Sequence, residues 1–220
     1  MRNICFYFQI HTPFRLKRYR FFDIGQDHYY YDDFQTEDRI RYIAEQSYLT
    51  ANRTISEMIR SSNGKFKCAF SISGPAIEQL EQYAPELIDS FKEMAKTGSV
   101  EFLAEPYAYS LASVFDSDEF ERQVKQHANK IEELFGKKPT AFVNSEMIYS
   151  DEIGDKVLKM GYKTMLIDEA KHVLGWKSPN YLYSNAFNPK LKLIVRNQKL
   201  SDDIAFKFPH LMLTAETFID

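Results

Sequence analysis

Short apolar runs rich in aromatic and β-branched residues alternate along this chain with longer stretches whose apolar residues recur every three or four positions. The first pattern is typical of buried strands and the second of amphipathic helices. We predict strands over residues 4–10, 65–72, 100–103, 140–144 and 162–167, with two further strand candidates at 181–186 and 191–196. This alternation predicts an α/β fold in which helices cover a parallel sheet.

Local signals mark the ends of the predicted helices. The first helix begins at the N-cap Thr36 and ends at Asn63-Gly64, and the second follows Ser73-Gly74-Pro75 and ends near Gly98. The third begins at Asp116 or Ser117 and ends at Gly136, the fourth runs from Asp151 to Gly161, and the tail from Thr214 begins another. Residues 14–36 have no regular period, and so long a loop is expected to be functional.

Nothing in the pattern divides the chain. No linker, repeat or composition shift interrupts the 220 residues, so we expect a single domain over residues 1–220. An open doubly wound sheet and a closed barrel both fit the order of elements. A phosphate-binding glycine-rich loop would favour the first, and neither GxGxxG nor a Walker A sequence is present.

Composition narrows the possible partners and the compartment. The net charge is −3 and the pI about 6.0, which argues against a nucleic-acid partner. No segment of the sequence is long and apolar enough to predict a membrane span, and no signal-peptide pattern opens it. Cys5 and Cys68 lie in apolar runs without metal-binding spacing, so we expect two buried free thiols in the reducing cytoplasm. Aromatic residues are abundant at 15%.

Polar and acidic residues follow several predicted strands. In a parallel barrel such positions converge on one rim, where active sites form. These residues are His11, Ser73, Glu101, Glu105, Glu146, Asp168 and Glu169. Such a cluster of carboxylates suits sugar chemistry or metal-dependent hydrolysis. Because HExxH and other metal-ligand spacings are missing from the sequence, we predict neither a metal nor a cofactor.

Each candidate also has a structural interpretation. His11 could be a hydrogen-bonded histidine at a strand end, and Glu146 a carboxylate near a helix N-terminus; for both we favour a functional role. For Glu101 a surface ion pair is an equally good interpretation. Asp168 and Glu169 are expected to be solvated or capping groups. Aromatic side chains near the predicted rim are candidate platforms for sugar rings: Tyr107, Tyr109, Tyr149 and Trp176.

Three sequence motifs resemble the catalytic domain of glycoside hydrolase family 57, the α-amylase and 4-α-glucanotransferase group. These are His11-Thr12-Pro13, Gly98-Ser99-Val100-Glu101, and Glu146 within AFVNSEMIYSDEIG, followed by a helix and Gly161-Tyr162. The resemblance implies an incomplete (β/α)7 barrel of the glycoside hydrolase/deacetylase type, acting on α-1,4-glucans or maltooligosaccharides with retention. It implies that Glu146 is the nucleophile and that His11 and Glu101 bind sugar.

The chain departs from the family pattern in three places. Thr12 replaces a glutamine, and Tyr109 stands where relatives have a histidine. The family's acid/base aspartate lies in a motif like Asp-x-Glu-x-x-Gly, which we do not find; Asp202-Asp203 is a weak substitute. We therefore expect the chain to lack the C-terminal part of the family domain and to be poorly active.

Other functions remain open at this point. The chain could act as a 4-α-glucanotransferase or branching enzyme, since hydrolysis and transfer differ only in which acceptor reaches the intermediate. A polysaccharide deacetylase-like enzyme uses a related barrel but needs a metal site. A non-catalytic carbohydrate-binding barrel would explain the changes at Thr12 and Tyr109.

Overall fold

The computed structural model describes residues 3–26, 28–211 and 214–219. The chain divides into two compact units, with the boundary between Pro139 and Thr140. Each unit combines strands and helices, and all but one of the strand pairs in the described residues are parallel. The predicted α/β class is therefore confirmed.

The first unit contains a three-stranded parallel sheet in the order β1-β2-β3. Its strands are β1 (Phe6–Ile10), β2 (Cys68–Ile72) and β3 (Val100–Phe102). Ile10 pairs with Ile72, and Phe70 pairs with Phe102. Residues that follow β1 and β2 therefore emerge at the same edge of the sheet.

Six helices accompany this sheet in the described part of the first unit. They are α1 (Asp33–Ile43), α2 (Leu49–Ser61), α3 (Gly74–Tyr83), α4 (Pro85–Lys96), α5 (Ala112–Phe115) and α6 (Ser117–Phe135). A 3₁₀ turn covers Phe21–Asp23, and a π-helical turn covers Ala44–Tyr48. One face of the sheet packs against the helices through aromatic rings: Phe102 stacks on Phe135 of α6 with ring centroids 3.9 Å apart.

Helix ends differ from the prediction in two places. Thr36 is not the N-cap of α1; Asp32 is, and its side chain accepts a hydrogen bond from the Gln35 amide at 3.0 Å. Thr36 is buried instead, and its hydroxyl donates to the Asp32 carbonyl. The predicted second helix is two helices, because proline disfavours helical geometry in the residue before it and Ala84 adopts φ −148° ahead of Pro85.

The second unit contains a four-stranded sheet in the order β4-β5-β7-β6. Its strands are β4 (Ala141–Val143), β5 (Thr164–Ile167), β6 (Leu182–Ser184) and β7 (Lys192–Val195). Its helices are α7 (Asp151–Lys159), α8 (Lys171–Leu174), α9 (Gln198–Asp202), α10 (Phe208–Leu211) and α11 (Ala215–Ile219). A 3₁₀ turn covers Ser145–Met147, and a π-helical turn covers Asp203–Lys207. β6 runs antiparallel to β7, which the expectation of parallel strands did not include.

Other sequence predictions can be compared directly. Asp116 caps α6 as predicted, accepting from the amides of Asp118 and Glu119, and Gly136 ends that helix in the left-handed conformation. Cys68 is buried, but the expectation that Cys5 is buried is wrong, since it lies exposed just before β1. Among the described residues, no helix combines the length and apolar character that crossing a membrane requires.

Candidate functional site

The carboxyl ends of β1 and β2 bring His11 and Ser73 together. His11 Nδ1 lies 2.8 Å from the Ser73 hydroxyl oxygen. Ser73 is fully buried and is also the N-cap of α3, where its oxygen accepts from the Ala76 amide at 3.4 Å. The helix start therefore fixes the hydroxyl that orients the imidazole.

Tyr109 lies against this imidazole. Its ring stacks on that of His11 with centroids 4.2 Å apart, and its hydroxyl accepts a hydrogen bond from Gln9 Nε2 at 2.8 Å. Tyr109 has φ 54°, a left-handed conformation that is uncommon for a residue with a side chain. The structure thus brings together two of the predicted site residues, His11 and Tyr109.

A buried acid, Glu105, lies just after β3. Its side chain is fully buried, and neither carboxyl oxygen has a partner in hydrogen-bonding geometry. Burial raises the pKa of Glu105 to about 8, an effect that the nearby Ser71 hydroxyl opposes. Burial therefore favours the protonated, uncharged form of this carboxyl.

The imidazole of His127, on α6, lies beside this acid. His127 Nδ1 accepts from the Glu105 backbone amide at 3.3 Å, and Nε2 lies 2.8 Å from the Ile72 carbonyl oxygen. Nε2 therefore carries the proton, and the ring is neutral. Burial lowers the pKa of His127 to about 4, in agreement with this tautomer.

Tyr107 and Glu101 lie close in sequence to Glu105 but in different surroundings. The Tyr107 hydroxyl donates to Glu78 at 2.6 Å, and its ring occupies the space that a side chain at Gly74 would need. Glu101 is the central residue of β3, in register with Ala69, so the expectation that it ends the strand is wrong. Their predicted sugar-binding roles stay predictions.

Glu146 lies in the second unit, on the turn that follows β4. The side chain is exposed, and the backbone has φ 53° and ψ 20°. Met147 is also left-handed, at φ 53°. Two successive left-handed residues other than glycine store about 1–3 kcal/mol each. Such conformations cluster at functional sites, where neighbouring contacts hold them.

Asn144 holds this turn. It is fully buried; its Oδ1 accepts from the Ser145 amide at 3.0 Å, and its Nδ2 donates to the Ile148 carbonyl at 2.9 Å. The Met147 carbonyl also accepts from the Asp168 amide at 3.4 Å, which joins the turn to the end of β5. Glu146 is thereby presented on a backbone anchored at both of its sides.

The chain after the turn is anchored to α7. Tyr149, one of the predicted aromatic platforms, donates its hydroxyl to Asp151 at 2.7 Å and accepts from Asn185 Nδ2 at 2.9 Å. Asn185 is buried, and its Nδ2 occupies space that a Cβ added at Gly154 would need. These contacts indicate that Tyr149 is a packed and hydrogen-bonded residue of this unit.

Asp168 and Glu169 follow β5 and take charged or capping partners. Asp168 lies 3.6 Å from Arg196 Nη1, and the other guanidinium nitrogen, Nη2, lies 2.7 Å from Asp202. Glu169 accepts from the Gln198 amide at the start of α9. Asp202, the weak substitute for the family acid, is thus held in an ion pair with Arg196.

Trp176 lies beyond α8. Its side chain is 93% exposed, so its indole is accessible to solvent. Within residues 3–26, 28–211 and 214–219, no group of three or more His, Cys, Asp or Glu side chains is arranged to hold a metal ion.

Sequence reasoning identified the residues at the strand ends but missed those that support them. Glu105 was noted only as one more carboxylate, although its place in the apolar run FLAEP indicates burial. Gln9 and Asn144 gave no signal, because their roles depend on contacts distant in sequence or on turn geometry.

Comparisons with known proteins extend this picture. A sequence model described as Glycosyl hydrolase family 57 matches residues 5–220. A Methanocaldococcus jannaschii protein named "Putative alpha-amylase" is 35% identical over 211 residues, which is 93% of this chain and 44% of that protein. The chain therefore spans less than half the length of this curated relative.

Solved structures resemble the chain in fold. A 4-alpha-glucanotransferase from Thermococcus litoralis has a TM-score of 0.67 at 15% identity, covering 92% of this chain and 29% of that one. The alpha-amylase AmyC from Thermotoga maritima has a TM-score of 0.63 at 12% identity, covering 93% of this chain and 47% of that one. The predicted fold class, α/β of the (β/α)7-barrel type, is confirmed by these likenesses.

Proposed function

Because the chain belongs to glycosyl hydrolase family 57, we propose that it carries the nucleophile of a retaining glycosidase that acts on α-1,4-glucans. The substrate class is proposed from the names of its relatives, an alpha-amylase and a 4-alpha-glucanotransferase. Glu146 is the proposed nucleophile, and His11, Glu101, Tyr107, Tyr109 and Trp176 are the proposed sugar-binding residues.

The strained turn at Glu146 is the observation that carries the proposal. A carboxylate that attacks carbon must meet it with little reorganisation, so a fixed backbone lowers the cost of reaching the transition state. Glu146 is exposed at a strand end in a left-handed conformation, and the buried side chain of Asn144 holds the turn that carries it. An ordinary surface glutamate would need neither feature.

The proposed reaction has two displacements at the anomeric carbon. In the first, a Glu146 carboxylate oxygen bonds to that carbon while the glycosidic bond breaks. The electron pair goes to the leaving oxygen, which takes up a proton. In the second, water attacks the same carbon, the bond to Glu146 breaks, and water releases a proton. A sugar hydroxyl in place of water would give transfer.

His11 and Tyr109 are proposed to contact the sugar. Stacking at 4.2 Å presents an imidazole edge and a phenol hydroxyl side by side, and Ser73 and Gln9 orient the two groups. Ring nitrogens and hydroxyls of this kind bind sugar hydroxyls in directional hydrogen bonds. Tyr109 would thus replace the family histidine with another polar ring.

A glycosyl fluoride tests the nucleophile without a proton donor. Fluoride leaves unprotonated, so the first displacement needs only the carboxylate. We expect a ring-fluorinated α-maltosyl fluoride, which slows the second step, to add one glycosyl group to the chain. Peptide mass spectrometry should place that group on Glu146.

Two variants make this experiment selective. Glu146→Gln should take up no label, whereas Glu152→Gln, which alters an exposed carboxylate on the following helix, should label like the natural chain. Label on another residue, or equal labelling of Glu146→Gln, would contradict the proposal. Maltooligosaccharide binding without any label would instead support a non-catalytic carbohydrate-binding role.

A further inference from the structure

Polar side chains of α6 anchor the segment that carries Tyr109. This segment, residues 105–110, begins with the Glu105 amide donating to His127 Nδ1 at 3.3 Å. Further along, the Ala108 amide and the Ser110 hydroxyl both donate to the Gln123 side-chain oxygen. His127 and Gln123 both lie on α6, so that helix positions the segment.

His127 joins the segment to β2 as well. Its Nε2 proton goes to the Ile72 carbonyl at 2.8 Å, next to Ser73, which orients His11. One neutral imidazole therefore connects the end of β2 with the start of the 105–110 segment. A protonated imidazole could no longer accept from the Glu105 amide.

The Glu105 carboxyl occupies the same buried space. Its Oε1 lies 3.8 Å from His127 Nε2, and both side chains are fully buried. An ion pair between them does not fit, because His127 Nδ1 accepts a hydrogen bond and the Nε2 proton is given to Ile72. A charged Glu105 would thus stand without a charged partner in a medium of low polarity, with only the Ser71 hydroxyl to offset the cost.

We propose that Glu105 and His127 are positioning residues that hold the 105–110 segment, and with it Tyr109 against His11, only while both side chains are uncharged. The effect of these two charges on the 105–110 segment is independent of the proposed function. Their effect on sugar binding rests on the proposed function.

The surrounding groups leave these two residues to set the pH response. From β1, Tyr7 faces Glu105; burial raises its pKa above the usual range, so it stays neutral. From β2 come the uncharged Ser71 and the Ile72 carbonyl. The Tyr107 ring meets the His127 ring edge-on, with centroids 6.5 Å apart. Burial and the hydrogen bond to Glu78 raise the pKa of Tyr107, so it too stays neutral.

The sign of each effect follows from linkage. The pKa of Glu105 rises from 4.5 to about 8, so the anchored conformation of the 105–110 segment, here called closed, loses stability as pH increases across that interval. The pKa of His127 falls from 6.5 to about 4, so the closed segment gains stability as pH increases across that interval. The two effects oppose each other between about pH 4.5 and 6.5, and only the loss due to Glu105 remains from there to about pH 8.

Hydrogen exchange measures this opening in the whole chain without any sugar. Exchange of the 105–110 amides, corrected for the intrinsic pH dependence, should accelerate about tenfold per pH unit from about pH 6.5 to 8. Glu105→Gln should remove that acceleration. Glu121→Gln, the same change at an exposed position of α6, should leave it intact.

Two outcomes overturn the inference. One is an equal pH response of the natural chain and Glu105→Gln. The other needs no variant: ¹³C NMR of the Glu105 carboxyl in the natural chain should show a midpoint near 8, and a midpoint near 4.5 refutes the inference even if Glu105→Gln does not fold.

Sugar binding then separates this inference from the proposed function. Maltotriose affinity, measured by calorimetry, should weaken over the same pH interval as the segment opens. Opening as expected with no maltotriose binding at any pH would contradict the proposed sugar site and leave the positioning role supported. A maltotriose affinity that stays constant while the segment opens would contradict the role of Tyr109 in that site.

Discussion

Asn144 shows how a single buried amide can determine the geometry of an exposed carboxylate. Its two hydrogen bonds satisfy the Ser145 amide and the Ile148 carbonyl on either side of Glu146. Buried partners left unsatisfied cost about 1–3 kcal/mol each, which is comparable to the strain stored in a left-handed residue. Without this side chain, the turn would lower its free energy by leaving the left-handed conformation.

We therefore predict that Asn144→Ala lowers the free energy of unfolding by about 2–6 kcal/mol, the cost of two lost partners at about 1–3 kcal/mol each. Turnover of a glycosyl fluoride should fall more than sugar binding, since the position of Glu146 changes. Urea unfolding and initial rates measure the two effects. Asn144→Asp keeps the acceptor for Ser145 and loses only the donor, so a loss as large as that of Asn144→Ala would contradict this account.

The two thiols should differ in reactivity. Cys5 is exposed, whereas Cys68 lies buried in β2, and burial raises the pKa of its thiol to about 11. Since the thiolate is the reactive form, we expect one thiol to react rapidly with a maleimide in the folded chain and the second only on unfolding. Cys5→Ser should abolish the rapid phase, and a rapid phase of two thiols would contradict the burial of Cys68.

At the scale of elements, pattern-based prediction succeeded where the signal is local and failed where packing or strand pairing decides the outcome. The cap at Asp116 and the glycine at Gly136 gave both ends of α6, because these signals act locally. The same reasoning misplaced the start of α1, since Thr36 is a good cap in isolation but is buried against the chain. The antiparallel β6 could not be foreseen from periodicity, which does not indicate strand direction.

The candidate site was predictable to a similar extent. His11 and Glu146 stand out because strand ends and family motifs coincide there. Glu105 and His127 do not, because their importance comes from burial without charge partners, and burial is a property of the folded chain.

Helix α7 packs closely against Asn185 and Tyr149 at Gly154, which leaves little room for a side chain there. A Cβ there would clash with Asn185 Nδ2 and lie 3.0 Å from Tyr149. Alanine is better than glycine in a helix by about 1 kcal/mol, but overpacking costs about 1–3 kcal/mol.

We predict that Gly154→Ala is net destabilising, by up to about 2 kcal/mol, with thermal or urea unfolding as the measurement. Glu152→Ala, an exposed change on the same helix, should stay within about 1 kcal/mol of the natural chain. A more stable Gly154→Ala would show that Asn185 moves aside freely.

At the scale of the whole molecule, length matters for the proposed chemistry. The chain spans 44% of its curated relative, and the family motif for the acid/base aspartate was not found in its 220 residues. General acid catalysis contributes about 10²–10⁴-fold, but only when the leaving group needs a proton.

We predict that rates on maltooligosaccharides fall about 10²–10⁴-fold below those of a longer family member. On α-maltosyl fluoride the two proteins should be much closer, because fluoride leaves unprotonated. Parallel initial-rate measurements on both substrates test this, with Glu146→Gln as the inactive control. An equal deficit on both substrates would contradict this prediction.

The hydroxyl of Ser73 has one hydrogen and two lone pairs, and it serves a helix and a ring at once. It can accept from the Ala76 amide while either donating to a neutral imidazole or accepting from a cationic one. Its contact with His11 therefore survives a change of charge on the ring without disturbing α3. An aspartate at this position could also cap the helix, but its carboxylate only accepts, so it would bind the ring only when Nδ1 carries a proton. The serine hydroxyl can bind Nδ1 with or without that proton.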